Sequence, residues 1–429
     1  MIIKPAKSIS GTLRLPGDKS ISHRAAMFAA MADGRSVIEN FAASADCSST
    51  LACLARLGAE ISRDGATVTI DGVGESGFST PTGPLDCGNS GTTMRLMSGI
   101  LAGQGVSAFL IGDESLSSRP MKRVIEPLTA MGAEIVSNEG RAPLEITGDN
   151  KLSGCIHTPT IASAQIKSCI ILAGLNAVGQ TTVIEPSPTR DHTERLLRWF
   201  GVDLDTSKPG VITIRGGQRL RPRSFSVPGD ISSAAFFLVA AACISSGSDL
   251  TIRNVGINPS RTGIIDILHR CGVELSVEHE RTMCNEPVGD IRVRGPIRSN
   301  SEKVVISGDL IANAIDEIPV LAVLGTQLSG GIEIRDASEL RFKESDRIKA
   351  VVENLRRMGA EVEEFPDGMI VRHSRLTGAT VDSFGDHRIA MAFAVAGLLA
   401  KGETEIIGAD CVDISFPGFF EKLDSVVTS

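Results

Sequence analysis

Leu54-Ala-Arg-Leu-Gly-Ala-Glu-Ile61 is one copy of a phrase that occurs five times in the chain. The other copies are Leu128-Thr-Ala-Met-Gly-Ala-Glu-Ile135, Leu197-Arg-Trp-Phe-Gly-Val-Asp-Leu204, Leu268-His-Arg-Cys-Gly-Val-Glu-Leu275 and Leu355-Arg-Arg-Met-Gly-Ala-Glu-Val362. Each closes an amphipathic helical pattern with a glycine able to take the left-handed conformation just past a helix. Gly58, Gly132, Gly201, Gly272 and Gly359 are separated by 74, 69, 71 and 87 residues. After each, the pattern becomes a strand, a polar turn and a second strand, as in 59–62, 63–66 and 67–71.

A second helix type interleaves with the first. Segments 20–34, 91–105, 164–179, 232–247, 317–331 and 386–402 are apolar around most of their circumference, which predicts helices buried on all sides. Six units in 429 residues average about 72 each, matching the repeat. A sixth amphipathic helix, 416–427, is cut short by the chain end. The expected fold is α/β, with two domains of three β-α-β-α-β-β repeats, buried helices packed together and sheets outside. A solenoid competes, but the termini carry no polar capping repeat.

Composition narrows the function. A chain of 429 residues exceeds one ordinary core. Aromatic residues make up 4%, with one Trp and no Tyr, and the net charge is −8, which together argue against stacking-based nucleic-acid binding. An anion site here must be a local cluster of basic residues. The nine Cys are scattered without a CxxC pair or zinc-type spacing, as expected of reduced thiols and of a metal-free protein. The first 20 residues have no signal-peptide pattern, and the longest apolar run, 233–244, reads as a buried helix rather than a membrane span. These features predict a cytoplasmic protein without membrane or nucleic-acid partners.

The chemistry gathers where the buried helices begin: Asp18-Lys19-Ser20, Asn89-Ser90-Gly91-Thr92-Thr93, Ser163-Ala164-Gln165, Asp230-Ile231-Ser232-Ser233, Asp316-Glu317 and Asp386-His387-Arg388. Helix caps account for the Ser, Asp and Asn. They do not account for Lys19, Arg24, Gln165, Lys167 or Arg388 just inside apolar helices. A buried cation needs an anionic partner, and a helix N-terminus repels cations while attracting anions. The pattern therefore predicts a small ligand with several negative charges. Gly88-Asn89-Ser90-Gly91-Thr92-Thr93 alone could be a turn and cap; Arg95 and the other helix starts favour ligand contact. Arg341-Phe342-Lys343-Glu344-Ser345-Asp346-Arg347-Ile348 reads as a helix start, with two cations one turn apart beside a candidate acid/base, Glu344. Arg190 is a better ligand contact than His192, which reads as a surface or core histidine.

Taken in chain order, Leu15-Pro-Gly-Asp-Lys-Ser-Ile-Ser-His-Arg24, Gly88-Asn-Ser-Gly-Thr-Thr-Met-Arg95, Arg119-Pro-Met121, Ser163-Ala-Gln165, Leu340-Arg-Phe-Lys-Glu-Ser-Asp-Arg-Ile348 and Asp386-His-Arg-Ile-Ala-Met391 resemble the 5-enolpyruvylshikimate-3-phosphate synthase family, the 3-phosphoshikimate 1-carboxyvinyltransferases. The resemblance spans nearly the whole chain. It implies the inside-out α/β barrel of the enolpyruvyl transferases, and transfer of the enolpyruvyl group of phosphoenolpyruvate to the 5-hydroxyl of shikimate 3-phosphate. It implies no cofactor, and a monomer whose partners are these two small molecules. Shikimate 3-phosphate is expected on Lys19, Ser20, Arg24, Ser163, Gln165, Arg190, Asp316 and Lys343. Phosphoenolpyruvate is expected on Lys19, Gly91, Arg119, Gln165, Arg347 and Arg388. Asp316, Glu344 and Lys19 are the implied catalytic residues. The implied domains are 19–229 and 1–18 with 230–429, with the active site in the cleft between them and closure on ligand.

The sequence departs from many relatives at Ile414, where a Lys precedes Ser/Thr-Phe-Pro, at Ala164, where some have a second Ser, and at Arg190 in place of a Ser/Tyr pattern. It is similar to a divergent bacterial subgroup. Gly91, where tolerant relatives often have Ala, implies inhibition by glyphosate. Two rival readings remain at this point. The enolpyruvyl transferase acting on UDP-N-acetylglucosamine shares the fold, but has Lys-Asn where this chain has Lys19-Ser20 and a loop Cys that 113–122 lacks. A non-catalytic anion-binding scaffold would not need Asp316 and Glu344.

Overall fold

The structure, a computed structural model, describes residues 1–148, 151–244, 247–297 and 302–428. The chain divides into two compact units. A terminal unit holds Met1–Pro16, Pro228–Thr282 and the chain from Pro287 onward; a central unit holds Gly17–Val227 and Met283–Glu286. The divisions at Pro16/Gly17 and Val227/Pro228 fall two residues before those read at Lys19 and Asp230. The return for Met283–Glu286 is absent from the sequence reading, because a hairpin turn carries no local mark of the unit it joins.

The repeat appears in the central unit as hydrogen-bond topology. Leu85–Asp86 pairs parallel with Ala108–Ile111, which pairs antiparallel with Arg141–Thr147, and Glu134–Asn138 takes the last edge. Helices Gly91–Gln104 and Lys122–Ala130 lie between these strands in the chain. The same order recurs in Ile156–His157, Gln180–Ile184, Val211–Arg215 and Leu204–Asp205. It recurs again in Phe225–Ser226, Asp33–Glu39, Thr67–Val73 and Glu60–Asp64, so the first repeat borrows its opening strand from the end of the central segment.

The terminal unit has three further copies. Val304–Ile306, Ile332–Ile334, Gly368–Val371 and Val362–Phe365 keep the order unchanged. Ser8–Arg14, Asp249–Gly256, Glu286–Arg294 and Glu274–Met283 form the second, with Val427–Thr428 added beside Ser8–Arg14. The third is Thr380–Asp382, Thr404–Ile407 and Ile2–Ile3. The sixth repeat, truncated in the sequence, is thus completed by the N-terminal strand, with Ile2 opposite Glu405. Its amphipathic helix is only Phe419–Asp424, shorter than 416–427.

The phrase glycines have φ of +108° (Gly58), +106° (Gly132), +88° (Gly201), +81° (Gly272) and +84° (Gly359), a region costly for residues with a Cβ. The helices apolar all round are buried: in Lys19–Met31 every residue from Ile21 onward is. Helices Ile231–Cys243, Ile318–Gly325 and His387–Leu399 pack on one another in the terminal unit. In the central unit Gly91–Gln104 lies against Ala164–Gly174, so close at Gly99 that a Cβ would sit 2.2 Å from the Cys169 carbonyl oxygen. The sheets cover these helices with one face and meet water with the other, as the alternating burial along Arg141–Thr147 shows. Helices inside and sheets outside make each unit the inside-out α/β arrangement expected. Gly105 caps Gly91–Gln104 in the left-handed conformation as expected, but 317–331 is helical only over Ile318–Gly325, because Gly331 sits at the entry of the next strand. Among the described residues no helix is long and apolar enough to cross a membrane.

Candidate active site

Caps set where the buried helices begin. Asp18 accepts from Ile21 N–H, Ser90 from Thr93, Ser163 from Ile166, Asp230 from Ser232 and Asp386 from Arg388. Each cap fixes the first turn, and so fixes the polar side chains placed on it.

In the central unit, Lys19 Nζ lies 2.9 Å from Asp46 Oδ2, a residue in the first turn of helix Ala45–Arg56. Arg24 is buried: Nε donates to Thr193 Oγ1 at 2.7 Å, Nη2 to Ser168 Oγ at 2.9 Å and Nη1 to the Ser20 carbonyl at 3.0 Å. Burial lowers its pKa to about 10; Glu194 and Asp18 oppose the shift, whereas Arg190 adds to it. Arg95 Nη1 donates to Gln165 Oε1 at 2.5 Å, and Gln165 Nε2 to Thr92 Oγ1 at 2.9 Å. Arg119 Nη2 reaches Asn89 Oδ1 at 2.7 Å and Ser115 Oγ at 3.1 Å. A Cβ at Gly91 would lie 3.0 Å from Arg95 Nη1 and 3.6 Å from Arg119 Nη1, so Gly91, Arg95, Arg119 and Gln165 form one cluster.

Lys167 corrects an expectation. Its partners are protein carboxylates, Glu194 at 2.8 Å and Glu185 at 3.2 Å, so no ligand is needed to explain this buried cation. Burial raises the Glu194 pKa despite the Lys167 contact. His192 is a core histidine, with Nδ1 2.8 Å from Glu286 Oε1 in the Met283–Glu286 turn.

In the terminal unit the arrangement centres on Asp316. Its Oδ1 lies 3.3 Å from Arg347 Nη1, 3.7 Å from Lys343 Nζ and 3.9 Å from Arg388 Nε; Oδ2 lies 3.9 Å from Arg261 Nη1. Arg347 is 1% exposed and also pairs with Glu344 at 2.6 Å and Asp386 at 2.8 Å. Burial alone lowers the Arg347 pKa, but Asp386, Glu344 and Asp316 more than reverse it and raise it above the ordinary value. Burial pushes the Asp386 carboxyl up, and Arg347 outweighs that and holds it below the usual range. Asp386 also accepts from Ser345 Oγ at 3.1 Å, tying the 343–346 loop to helix His387–Leu399.

Two readings change here. Helix Arg347–Arg357 begins at Arg347, capped by Asp346, so Lys343 and Glu344 precede it in extended and loop backbone rather than one helical turn away. Arg388 needs no ligand for compensation: Asp316 lies 3.9 Å from its Nε and Glu317 3.8 Å from its Nη1. Asp46 and Arg261 were missed altogether. They sit at the starts of amphipathic helices, Ala45–Arg56 and Gly263–Arg270, where a charged residue is ordinary and carries no local signal.

Lys and Arg at helix N-termini, with the Asp316 carboxylate at the centre of the terminal-unit cluster, suit a multiply anionic ligand and proton transfer. Residues 3–423 match the family model described as EPSP synthase (3-phosphoshikimate 1-carboxyvinyltransferase). The chain is 51% identical over 428 residues, 98% of each chain, to the 3-phosphoshikimate 1-carboxyvinyltransferase of Brevibacillus brevis. It is 50% identical to that of Citrifermentans bemidjiense, covering 99% of this chain and 98% of the relative. A solved EPSP synthase from Acinetobacter baumannii matches with a TM-score of 0.90 at 42% identity, over 100% of this chain and 98% of that one. With residues 3–423 matched to the family's model and about half the residues shared with its members, the chain belongs to the EPSP synthase (3-phosphoshikimate 1-carboxyvinyltransferase) family.

Proposed function

We propose that the chain transfers the enolpyruvyl group of phosphoenolpyruvate to the 5-hydroxyl of shikimate 3-phosphate, releasing phosphate, in the biosynthesis of aromatic amino acids. In the first step the 5-hydroxyl oxygen bonds to the enol carbon while that hydroxyl loses its proton and the methylene carbon gains one. The resulting tetrahedral centre carries both carboxylate and phosphate. In the second step the phosphate leaves with its bonding electrons and the methyl group returns a proton, restoring the double bond. Such chemistry needs a base, an acid and fixed positive charge, all set in advance.

The observation that carries this reading is the Asp316 carboxylate, within 4 Å of Lys343, Arg347, Arg388 and Arg261. Asp316 is the base for the hydroxyl, and Glu344, held by Arg347, the second acid/base. Without ligands these carboxylates compensate the cations; an anionic substrate replaces them and releases Asp316 to act. Lys343 and Asp316, with Lys19, Ser20, Arg24, Ser163, Gln165 and Arg190 of the central unit, take shikimate 3-phosphate. Arg347 and Arg388, with Lys19, Gly91, Arg119 and Gln165, take phosphoenolpyruvate, and Lys19 belongs to both sets and to the catalytic group. The enzyme acts in the cytoplasm as a monomer. The test is phosphate release from phosphoenolpyruvate in the presence of shikimate 3-phosphate, with UDP-N-acetylglucosamine as the control acceptor. Release only with the sugar nucleotide would overturn the reading.

A further inference from the structure

We propose that Glu317, acting through the Ser232 hydroxyl, is the positioning residue for Arg388 and thereby sets affinity for phosphoenolpyruvate; this rests on the reading that Arg388 holds that substrate. Glu317 is 2% exposed and stands at the start of helix Ile318–Gly325, whose sequence IPVLAVLG is wholly apolar. A carboxylate buried there is costly unless paired. The Ser232 hydroxyl donates to Glu317 Oε1. Arg388 Nη1 lies 2.7 Å from Ser232 Oγ and 3.8 Å from Glu317 Oε1.

The direction of this chain follows from proton count. A serine hydroxyl has one hydrogen. With it committed to Glu317, Oγ turns its lone pairs to Arg388 and can only accept. Arg388 Nη1 has two hydrogens, and its second acceptor is the Asp316 carbonyl at 2.9 Å. Both Nη1 hydrogens are thus bound to protein, and the Nε/Nη2 edge, whose Nε lies 3.9 Å from Asp316 Oδ1, is the fork aimed to meet a carboxylate or phosphate side-on once substrate displaces Asp316. Were the Ser232 hydroxyl turned the other way, its hydrogen would face a cation. Glu317 prevents that. Ser232, Glu317 and Arg388 lie at the starts of three mutually packed helices, so the chain also locks their ends together. Asp316 cannot take over this task, because in the proposed reaction it gains a proton, whereas Glu317 is sealed behind Ser232.

The test is steady-state kinetics on the full chain with Ser232→Ala, Glu317→Ala, the double variant, Glu317→Gln and Arg388→Lys. Ser232→Ala and Glu317→Ala should each raise the KM for phosphoenolpyruvate by about tenfold or more, as expected when an oriented charge-assisted hydrogen bond is lost. The KM for shikimate 3-phosphate should stay within about twofold, and the double variant should be no worse than the poorer single one, since both cut the same chain. Glu317→Gln keeps the acceptor oxygen and should restore the KM to within about threefold of wild type. Ser232→Ala, which removes one oxygen, decides the matter if Glu317→Ala does not fold. Equal rises in both KM values, multiplying effects in the double variant or no rescue by Gln would overturn the proposal. If Arg388→Lys left the phosphoenolpyruvate KM unchanged, the assignment of Arg388 would fall and the proposal with it. If only Arg388→Lys raised that KM, the assignment would stand and the Glu317–Ser232 chain would fall.

Discussion

Replacing Gly91 by Ala adds one methyl group where two guanidinium groups meet. The new Cβ would lie 3.0 Å from Arg95 Nη1 and 3.6 Å from both Arg95 Cζ and Arg119 Nη1. Gly91 has an ordinary negative φ at the start of its helix, so Ala fits the backbone and stability should be unchanged or slightly raised. The contact with Arg95 is too short to persist, and the arginine must yield by a few tenths of an ångström. Arg95 is tied to Gln165 at 2.5 Å and Arg119 to Asn89 at 2.7 Å, so the displacement passes to the groups proposed to hold phosphoenolpyruvate. Losing a charge-assisted hydrogen bond outright costs about 1.5–3 kcal/mol. A partial displacement should cost about 1 kcal/mol, which is a rise of roughly fivefold in the phosphoenolpyruvate KM. Glyphosate, expected to place its carboxylate and phosphonate among the same cations, is longer than phosphoenolpyruvate and should lose at least one such bond completely, about 10- to 100-fold in inhibition constant. The assay is a steady-state titration of inhibitor against phosphoenolpyruvate for both proteins. Wild type should be inhibited competitively and Gly91→Ala should be tolerant. Equal loss of substrate and inhibitor affinity would refute the steric argument. A wild type insensitive well above its KM would refute the premise and direct attention to Ser90 and Ile414.

Asp316→Ala should lower kcat by about 10²–10⁴, the range for a general base, with substrate affinities changed far less; a collapse of affinity at near-normal turnover would make Asp316 a binding residue instead. Asp386→Ala would leave Arg347, 1% exposed, short of one of its three carboxylates. It should destabilise the terminal unit by about 3 kcal/mol in urea unfolding followed by circular dichroism, and a loss under about 1 kcal/mol would count against that ion pair as a structural element. His23 is fully buried beside Thr50, and burial lowers its pKa from 6.5 to about 3. The folded chain therefore keeps it neutral while the unfolded chain protonates below 6.5, so its contribution is full above that pH and is lost as pH falls toward 3. Between pH 7 and pH 5 the loss should be about 2 kcal/mol, readable from Trp199 fluorescence in the central unit and absent in His23→Gln. Equal pH dependence in the two proteins would exclude His23 as the source.

The repeat was legible because its marks are local. A left-handed residue after a helix demands glycine, and a helix surrounded on all sides by protein must be apolar on all sides; both constraints write themselves into every copy. Hence the six repeats, the two helix types and the positive φ at Gly58, Gly132, Gly201, Gly272 and Gly359 could be read without coordinates. Motif order and the motif residues carried the family resemblance for a similar reason, since helix starts combine caps with side chains that caps alone do not require. Pairing between distant segments left no such mark. That Ile2–Ile3 closes the sixth repeat, that Met283–Glu286 counts with the central unit, and that Phe225–Ser226 opens the first repeat are matters of which strand edge lies nearest, and many short apolar stretches would serve equally in the sequence. The same holds for charge. The sequence by itself determined that cations stand at buried helix starts and must be compensated. Only the tertiary structure decided by what: Glu185 and Glu194 for Lys167, Asp46 for Lys19, Asp386, Glu344 and Asp316 for Arg347, and Ser232 with Glu317 for Arg388. Coulombic pairing acts through space over a few ångströms, and apart from Glu344, three positions before Arg347, these partners are tens or hundreds of positions apart in the chain.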